Sequence, residues 1–388
     1  MKIFIDNRQV HDYVTNEINF NYDAISDTFA LTRPFFEHWE KNYYNGRNAS
    51  YLMFTPLKYY AVRIEDNAGN RLLTGWLLNH QFRSASKTNE VSLSGYSKTG
   101  ILDDCPNIIE ALKAAQNADT TTTPAAGATP LPFPVEDTKT GESNCFSELT
   151  LLELAKKLVA PYNIEIIVDD IVKDRMNEKY DQATVKEQDT ISSYLAKLAT
   201  LKNIVMRSTP YGQLRFTQVD TTAKIQAHFA IADGKTEDIA LNVNGQGMHS
   251  IIYMLASADL HEPADEDAAK TGNAMQIINP LINQYRPTLM KQNVEKGSII
   301  NPIKAALAEE LKNITCVITC KGFAIVDDDL LRPGDLITVF APDAYIYYKT
   351  KFLIRSLRLT EDAKGKQTVI NCILPEAMTG DQPQLMFR

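Results

Sequence analysis

Apolar and polar residues alternate with period two through most of the first hundred positions. From Leu72 onward the pattern is longest: Leu72, Thr74, Trp76, Leu78, His80 and Phe82 fall on one face, and Leu73, Gly75, Leu77, Asn79, Gln81 and Arg83 on the other. That is a strand with at least one firmly buried side. On this phase Leu73 and Leu77 occupy the less buried face, so they are expected at a contact between copies, and His80 is expected as a satisfied core or edge histidine. Shorter runs at Lys2 to Ile5, Glu17 to Phe20, Thr28 to Thr32, Tyr59 to Ile64 and Val91 to Leu93, with turn residues at Asp66 to Asn70 between them, predict an antiparallel sheet or barrel.

Alternation stops near position 100. A short helical patch spans Ile108 to Ala115, and Asn117 to Asn144 is rich in Thr, Pro, Ala and Gly, the composition of a flexible linker whose replacement by a short Gly/Ser connector is expected to leave folding intact. Helical spacing then occurs twice. Leu151, Leu154, Ala155 and Leu158 form one buried face, opened by Thr150 and Glu153 in a capping-box arrangement, and forty positions later Ile191, Tyr194, Leu195 and Leu198 repeat it. Each helix is followed by an asparagine-isoleucine pair and a strand-like run, Asn163-Ile164 through Val168 and Asn203-Ile204 through Arg207. A hairpin through Pro210-Tyr211-Gly212 into Leu214 to Thr217 completes a small α/β module.

Strands return from about Thr221. Ile314, Cys316, Ile318 and Cys320 share one face, so both cysteines are expected in the core, too far apart along one strand for a disulfide. Phe352 with Ile354, and Thr368, Ile370, Cys372 and Leu374, are further alternating runs around the turn Glu361 to Lys366. One helix, Ile303 to Leu311, interrupts, and His261 to Lys270 reads as an exposed acidic loop.

Composition narrows the function classes. A length of 388 residues suffices for two or three domains, and 44% hydrophobic with 23% charged residues is ordinary for a folded soluble chain. No run is apolar enough to span a membrane, and MKIFIDNRQV lacks the regions of a secretory signal, so cytoplasmic synthesis is expected. Five unclustered cysteines suit reduced thiols. A net charge of −8 without a basic stripe argues against gripping nucleic acid, and suits a surface that nucleic acid passes without sticking.

No catalytic, cofactor-binding or metal-ligating set emerges. His261-Glu262 lacks the second histidine of a zinc-protease helix, Asp327-Asp328-Asp329 points in divergent directions, and Asn244-Gly245-Gln246-Gly247 lacks the third glycine of a dinucleotide loop and reads as a bend. VSLSGYSKTGILDDC, Val91 to Cys105, resembles a phosphate cradle at first, but no glycine stands where the Gly-Lys-Thr type needs it, and Pro106 follows where a long helix should open.

The same stretch has a better parallel. A strand, Gly95, a short polar turn and Leu102-Asp103-Asp104-Cys105 resemble a signature of the baseplate hub proteins of contractile-tailed phages, the Mu-type tail hub family related to type VI secretion spike hubs, with Tyr96 in place of the usual arginine. The likeness continues in order through Leu152-Glu153-Leu154-Ala155, Pro161-Tyr162-Asn163, Gln188-Asp189-Thr190, Gly212-Gln213-Leu214, Tyr285-Arg286-Pro287, Arg332-Pro333-Gly334-Asp335 and Phe352-Leu353-Ile354. It covers most of the chain from Met1 to about Ala377; the Thr/Pro linker is a departure.

The resemblance implies an α+β, mainly β fold: two antiparallel β-barrel-like tube domains with an intervening helix-strand module. The expected divisions are 1–96 for the first tube-type domain, 97–220 for the linker-containing module and 221–388 for the second tube-type domain. It implies a structural protein and not an enzyme: a homotrimeric ring adapting the sixfold tail tube to the threefold spike and forming part of the channel. Expected partners are the tail spike protein, tail tube or tube-initiator proteins and other baseplate proteins, with DNA passing through without specific binding and no membrane. The place of action is the virion tail baseplate; cofactors are none. The alternative is a particle-associated cell-wall or carbohydrate-active enzyme with paired carboxylates in a cleft.

Overall fold

The computed structural model describes residues 1–11, 13–34, 55–86, 88–106, 145–146, 149–180, 183–184, 189–256, 274–292, 300–326 and 329–383. The Ile108 to Ala115 patch, the Thr/Pro linker, the His261 loop and Asp327-Asp328 lie outside them. Among the described residues no helix is long and apolar enough to cross a membrane.

Strands from both ends of the chain build a single 13-stranded sheet. Its order runs Thr236–Val243, Ile314–Lys321, Gly365–Ile373, Ile346–Asp362, Thr15–Asn21, Thr28–Pro34, Asn89–Ser97, Arg71–Ser84, Tyr60–Glu65, Lys2–Ile5 and Arg8–Val10. Leu336–Ala341 pairs with the first half of Ile346–Asp362, and Ile225–Phe229 pairs in parallel with Leu336–Ala341. The seam lies at Ser356↔Asn21 through Glu361↔Asn16, where the seventeen-residue strand Ile346–Asp362 outruns its partner Leu336–Ala341 and picks up the strand Thr15–Asn21. The hydrogen-bonded path is therefore open: the mainly β expectation holds, but no barrel closes among the described residues. One apolar core spans both halves, with Ile18, Leu31, Leu77 and Leu93 packed with Ile318, Phe352, Leu357 and Ile370.

The expected phase of Arg71–Ser84 is corrected by two bulges. Ile64 pairs with Leu73 and Glu65 with Arg71, which makes Leu72 an extra residue, and a second shift makes Leu78 extra between Leu77↔Gly95 and Asn79↔Ser94. Leu72 and Leu73 are both 1% exposed and Leu77 is 0%. Leu73 and Leu77 are thus core residues and cannot meet another copy, whereas Thr74, Trp76 and Leu78 are half-buried on the outside. Beyond the second bulge His80 lies between Tyr60 and Phe82, ring centroids 6.4 and 6.3 Å away, with its Nε2 buried and lacking a partner. It is an edge histidine, and desolvation lowers its pKa.

The module is as its spacing requires. Helix Leu151–Val159 buries Leu151, Leu154, Ala155 and Leu158, and its capping box is complete: the Glu153 N–H donates to Thr150 Oγ1 at 3.2 Å and the Thr150 N–H donates to Glu153 Oε2 at 2.9 Å. Helix Ile191–Leu201 buries Ile191, Tyr194, Leu195 and Leu198 behind Thr190. The two strands that follow do not touch, because Leu214–Thr217 lies between them, antiparallel to Val205–Ser208 and parallel to Ile166–Val168. These elements share a second core, joined by Ile25 and Leu102.

The expected cysteine positions hold. Cys316, Cys320 and Cys372 are buried free thiols, and desolvation pushes Cys316 up to about 12. Chain reversal at Asp362 and Gly365 joins the last two long strands. Helix Ile300–Leu311 contains the span expected from Ile303.

Candidate functional site

Alternation gives every strand of the main sheet a second face, and its chemistry is unusual for strands. Following the pairing outward from Thr236–Val243, one row reads Ala240, Val317, Asn371, Ser356 and Asn21; the next reads Asp238, Thr319, Val369, Arg358, Asn19, Thr28 and Tyr96; a third reads Lys321, Gln367, Thr360, Glu17, Ala30, Ser94 and Asn79. Asn is disfavoured in strands, so its recurrence here is not a matter of propensity. The charged members are Asp238, Glu17, Arg358 and Lys321, two of each sign, so the face is polar but close to neutral.

Its side chains bond to one another, three of the following pairs across strands and Asn19 to Glu17 along one strand. Asn371 Nδ2 donates to Ser356 Oγ at 3.0 Å, Asn19 Nδ2 to Glu17 Oε1 at 2.8 Å, Thr32 and Ser92 hydroxyls meet at 3.1 Å, and Asn79 Nδ2 reaches Ser94 Oγ at 3.4 Å. A pocket of about 250 Å³ lined by Asn19, Asn21, Ser356, Arg358 and Asn371 lies at the seam of the two halves. Such a surface stays hydrated yet offers a polyanion few cations to neutralise its charge, so it presents little electrostatic grip.

The Gly95 to Gly100 stretch joins the sheet to the module. A Cβ on Gly95 would lie 1.9 Å from the Trp76 carbonyl oxygen, and one on Gly100 would lie 2.5 Å from the Tyr96 ring. Both glycines are there for close packing. Lys98 Nζ donates to the Asn163 carbonyl at 2.5 Å, at the end of the first module helix, and the helix that follows is only Ile101–Asp104. Tyr96 OH donates to Asp104 at 2.6 Å, Ser192 Oγ donates to Asp103, and Leu102 is buried in the module core.

Two motifs that look independent in sequence are partners in space. Arg286 of Tyr285-Arg286-Pro287 donates to the carbonyls of Gly245 and Gln246 at 2.7 and 2.6 Å, fastening the Asn244 to Gly247 turn. Gly334 of Arg332-Pro333-Gly334 has φ +97°, and a Cβ there would lie 2.6 Å from the Tyr22 ring. Neither pairing has a sequence signal, since both depend on how separate turns are folded together. Among the described residues no three His, Cys, Asp or Glu side chains are grouped to hold a metal ion.

This architecture has known counterparts. Residues 138–218 match the model of the second domain of the baseplate hub protein gp44-like family. No curated protein matches the chain in sequence. Among solved structures, the 43 kDa tail protein of prophage MuSo2 from Shewanella oneidensis superposes with a TM-score of 0.72 at 18% identity, over 97% of this chain and 98% of that one. The tail protein from Neisseria meningitidis MC58 gives 0.70 at 17% identity, over 98% of each chain. The Escherichia coli c3393 protein, a type VI secretion system component structurally similar to the T4 tail proteins gp27 and gp5, gives 0.53 at 9% identity, over 100% of this chain and 80% of that one. Residues 138–218 are thus similar to the second domain of the baseplate hub protein gp44-like family, and the chain that carries them has the fold of prophage tail proteins.

Proposed function

We propose that this protein is a structural hub of a contractile phage tail baseplate, acting without a catalytic step. Three copies form a ring between the sixfold tail tube and the threefold spike, and the near-neutral face of the main sheet lines the channel. The supporting observation is that face: three rows rich in Asn, Ser and Thr crossing the seam between the two halves, with Asp238 and Glu17 balanced by Arg358 and Lys321. A duplex moving past it exchanges few counterions and is not held. Each half of the sheet supplies one wall segment, so three chains give six segments to the tube side. Spike, tube and other baseplate proteins are the partners, and the protein is made in the host cytoplasm before assembly into the tail.

The test is to make this face strongly cationic. Asn19→Lys, Ser94→Lys and Asn371→Lys together should leave the far-UV circular dichroism unchanged. They should create salt-dependent binding of duplex DNA to the assembled protein, and block DNA delivery by particles that still assemble. Strong DNA binding by the unaltered protein at about 0.15 M salt contradicts the reading.

A further inference from the structure

The turn from Asn244 to Gly247 is a motif that the channel reading leaves unused. It leads out of strand Thr236–Val243, at one edge of the main sheet, toward a separate three-stranded sheet of Ala274–Ile278, Ile251–Ala256 and Pro287–Gln292. All four turn residues are exposed, and among the described residues Asn244 is the only asparagine followed by glycine. A Cβ on Gly245 would meet nothing within 4 Å, so the backbone here has room to move.

Hydrogen bonds hold the Asn244 side chain over its own neighbour. The Asn244 N–H donates to the Asn313 carbonyl at 3.0 Å, Nδ2 donates to Asn313 Oδ1 at 3.4 Å, and Oδ1 accepts the Gln246 N–H at 3.2 Å. The last bond fixes which way the amide points, since an N–H needs an acceptor. It also closes a small ring of atoms that contains the Gly245 nitrogen, and so keeps Asn244 Cγ close to that nitrogen. Arg286 sets the donor in place: Nη1 and Nη2 bond to the Gly245 and Gln246 carbonyls at 2.7 and 2.6 Å. The first of these bonds polarises the peptide unit whose N–H faces Asn244 Oδ1, which strengthens that donor. Negative charge developing on Oδ1 therefore meets a hydrogen bond already aimed at it.

We infer that Asn244 is a self-modification site: the Gly245 backbone nitrogen displaces the side-chain amide, with Arg286 as the positioning residue. The Gly245 N–H gives its proton to hydroxide, the nitrogen bonds to Asn244 Cγ, and the Cγ–Nδ2 bond breaks, releasing ammonia that takes its extra proton from water. Water then opens the cyclic imide. Cleavage of the new bond leaves aspartate at this position; cleavage between the same nitrogen and the main-chain carbonyl carbon leaves isoaspartate, with the chain running through Cβ and Cγ. No electrons are transferred, and water is the sole co-reactant. Isoaspartate adds a backbone atom to a turn that is already tight against its neighbour, since a Cβ on Gly247 would lie 2.9 Å from Asn313 Nδ2. The altered turn leaves Arg286, and the main sheet loses this tie to the three-stranded sheet. The reaction runs with time and hydroxide concentration, and is independent of what lines the channel.

Peptide mapping by mass spectrometry reads the step. The full-length protein is kept at mildly alkaline pH, native and in concentrated guanidinium chloride, and sampled over days for the exchange of NH2 for OH at Asn244. Conversion should be at least as fast in the native protein as in the denatured chain, because the fold supplies the orientation that the chain must otherwise find. An isoaspartyl-specific carboxyl methyltransferase should label the native product. Arg286→Gln, or Arg286→Lys should the first variant fold poorly, should slow native conversion roughly tenfold and leave the denatured rate unchanged. A native rate below the denatured one overturns the site, and a folded variant that converts at the wild-type rate overturns the part given to Arg286. The native and denatured comparison needs no variant and decides the first point by itself.

Discussion

Asn163 and Asn203 stand forty positions apart and hold the same left-handed backbone, φ 50° and 52°, each at the end of a module helix. Asparagine enters this region more readily than other side chains, because its short polar group bonds locally, and it stops the helix there before the strand begins. The two asparagine-isoleucine pairs are thus paired stop signals of a duplicated helix-strand unit.

Replacing either asparagine tests that assignment. Asn203→Ala should cost about 1 kcal/mol in urea unfolding, whereas Asn203→Gly should be neutral or slightly stabilising, and the same pair of changes at Asn163 should behave alike. Equal losses for alanine and glycine would show that the side chain, and not the backbone angle, is what matters.

The module was legible because its signals are local: a capping box, two helical faces and two left-handed stops all lie within a dozen residues of what they control. The main sheet was legible only in part. Alternation marks a strand and its phase, but nothing in Leu72-Leu73 or Leu77-Leu78 shows that an extra residue is accommodated at each pair, and one slipped residue exchanges inside for outside. The seam between Thr15–Asn21 and Ile346–Asp362 joins residues more than 330 positions apart and leaves no trace in either segment. The neutral face was equally hidden, since its rows exist only once the register of eight strands is known.

The corrected phase makes opposite predictions for neighbouring residues. Leu77 is fully buried, so Leu77→Asp places an unpaired carboxylate in the core and should cost about 4 kcal/mol or more, seen as loss of cooperative thermal unfolding. Ser92→Asp, on the outward face of the adjoining strand, should change stability by no more than about 0.5 kcal/mol. A folded Leu77→Asp protein that merely fails to associate would restore the contact expected from simple alternation.

Close approach, and not phosphate, explains the glycine at position 95. Gly95→Ala drives a Cβ to 1.9 Å from the Trp76 carbonyl oxygen, a backbone atom that cannot swing away, and should destabilise by about 3 kcal/mol or more. Gly69→Ala meets open space but keeps φ +95°, so its cost should be about 1 kcal/mol. Chemical denaturation of the two variants side by side separates packing from backbone strain; similar losses would contradict the close-packing account.

The central claim is a ring whose lumen is the near-neutral sheet face. Electron cryomicroscopy of the assembled tail end, with native mass measurement of the isolated protein, tests it most directly. The account predicts three copies about one axis with Asn19, Ser356 and Asn371 facing the lumen. A monomer that persists at high concentration, or a ring that turns this face outward and lines its lumen with Lys and Arg, would contradict it.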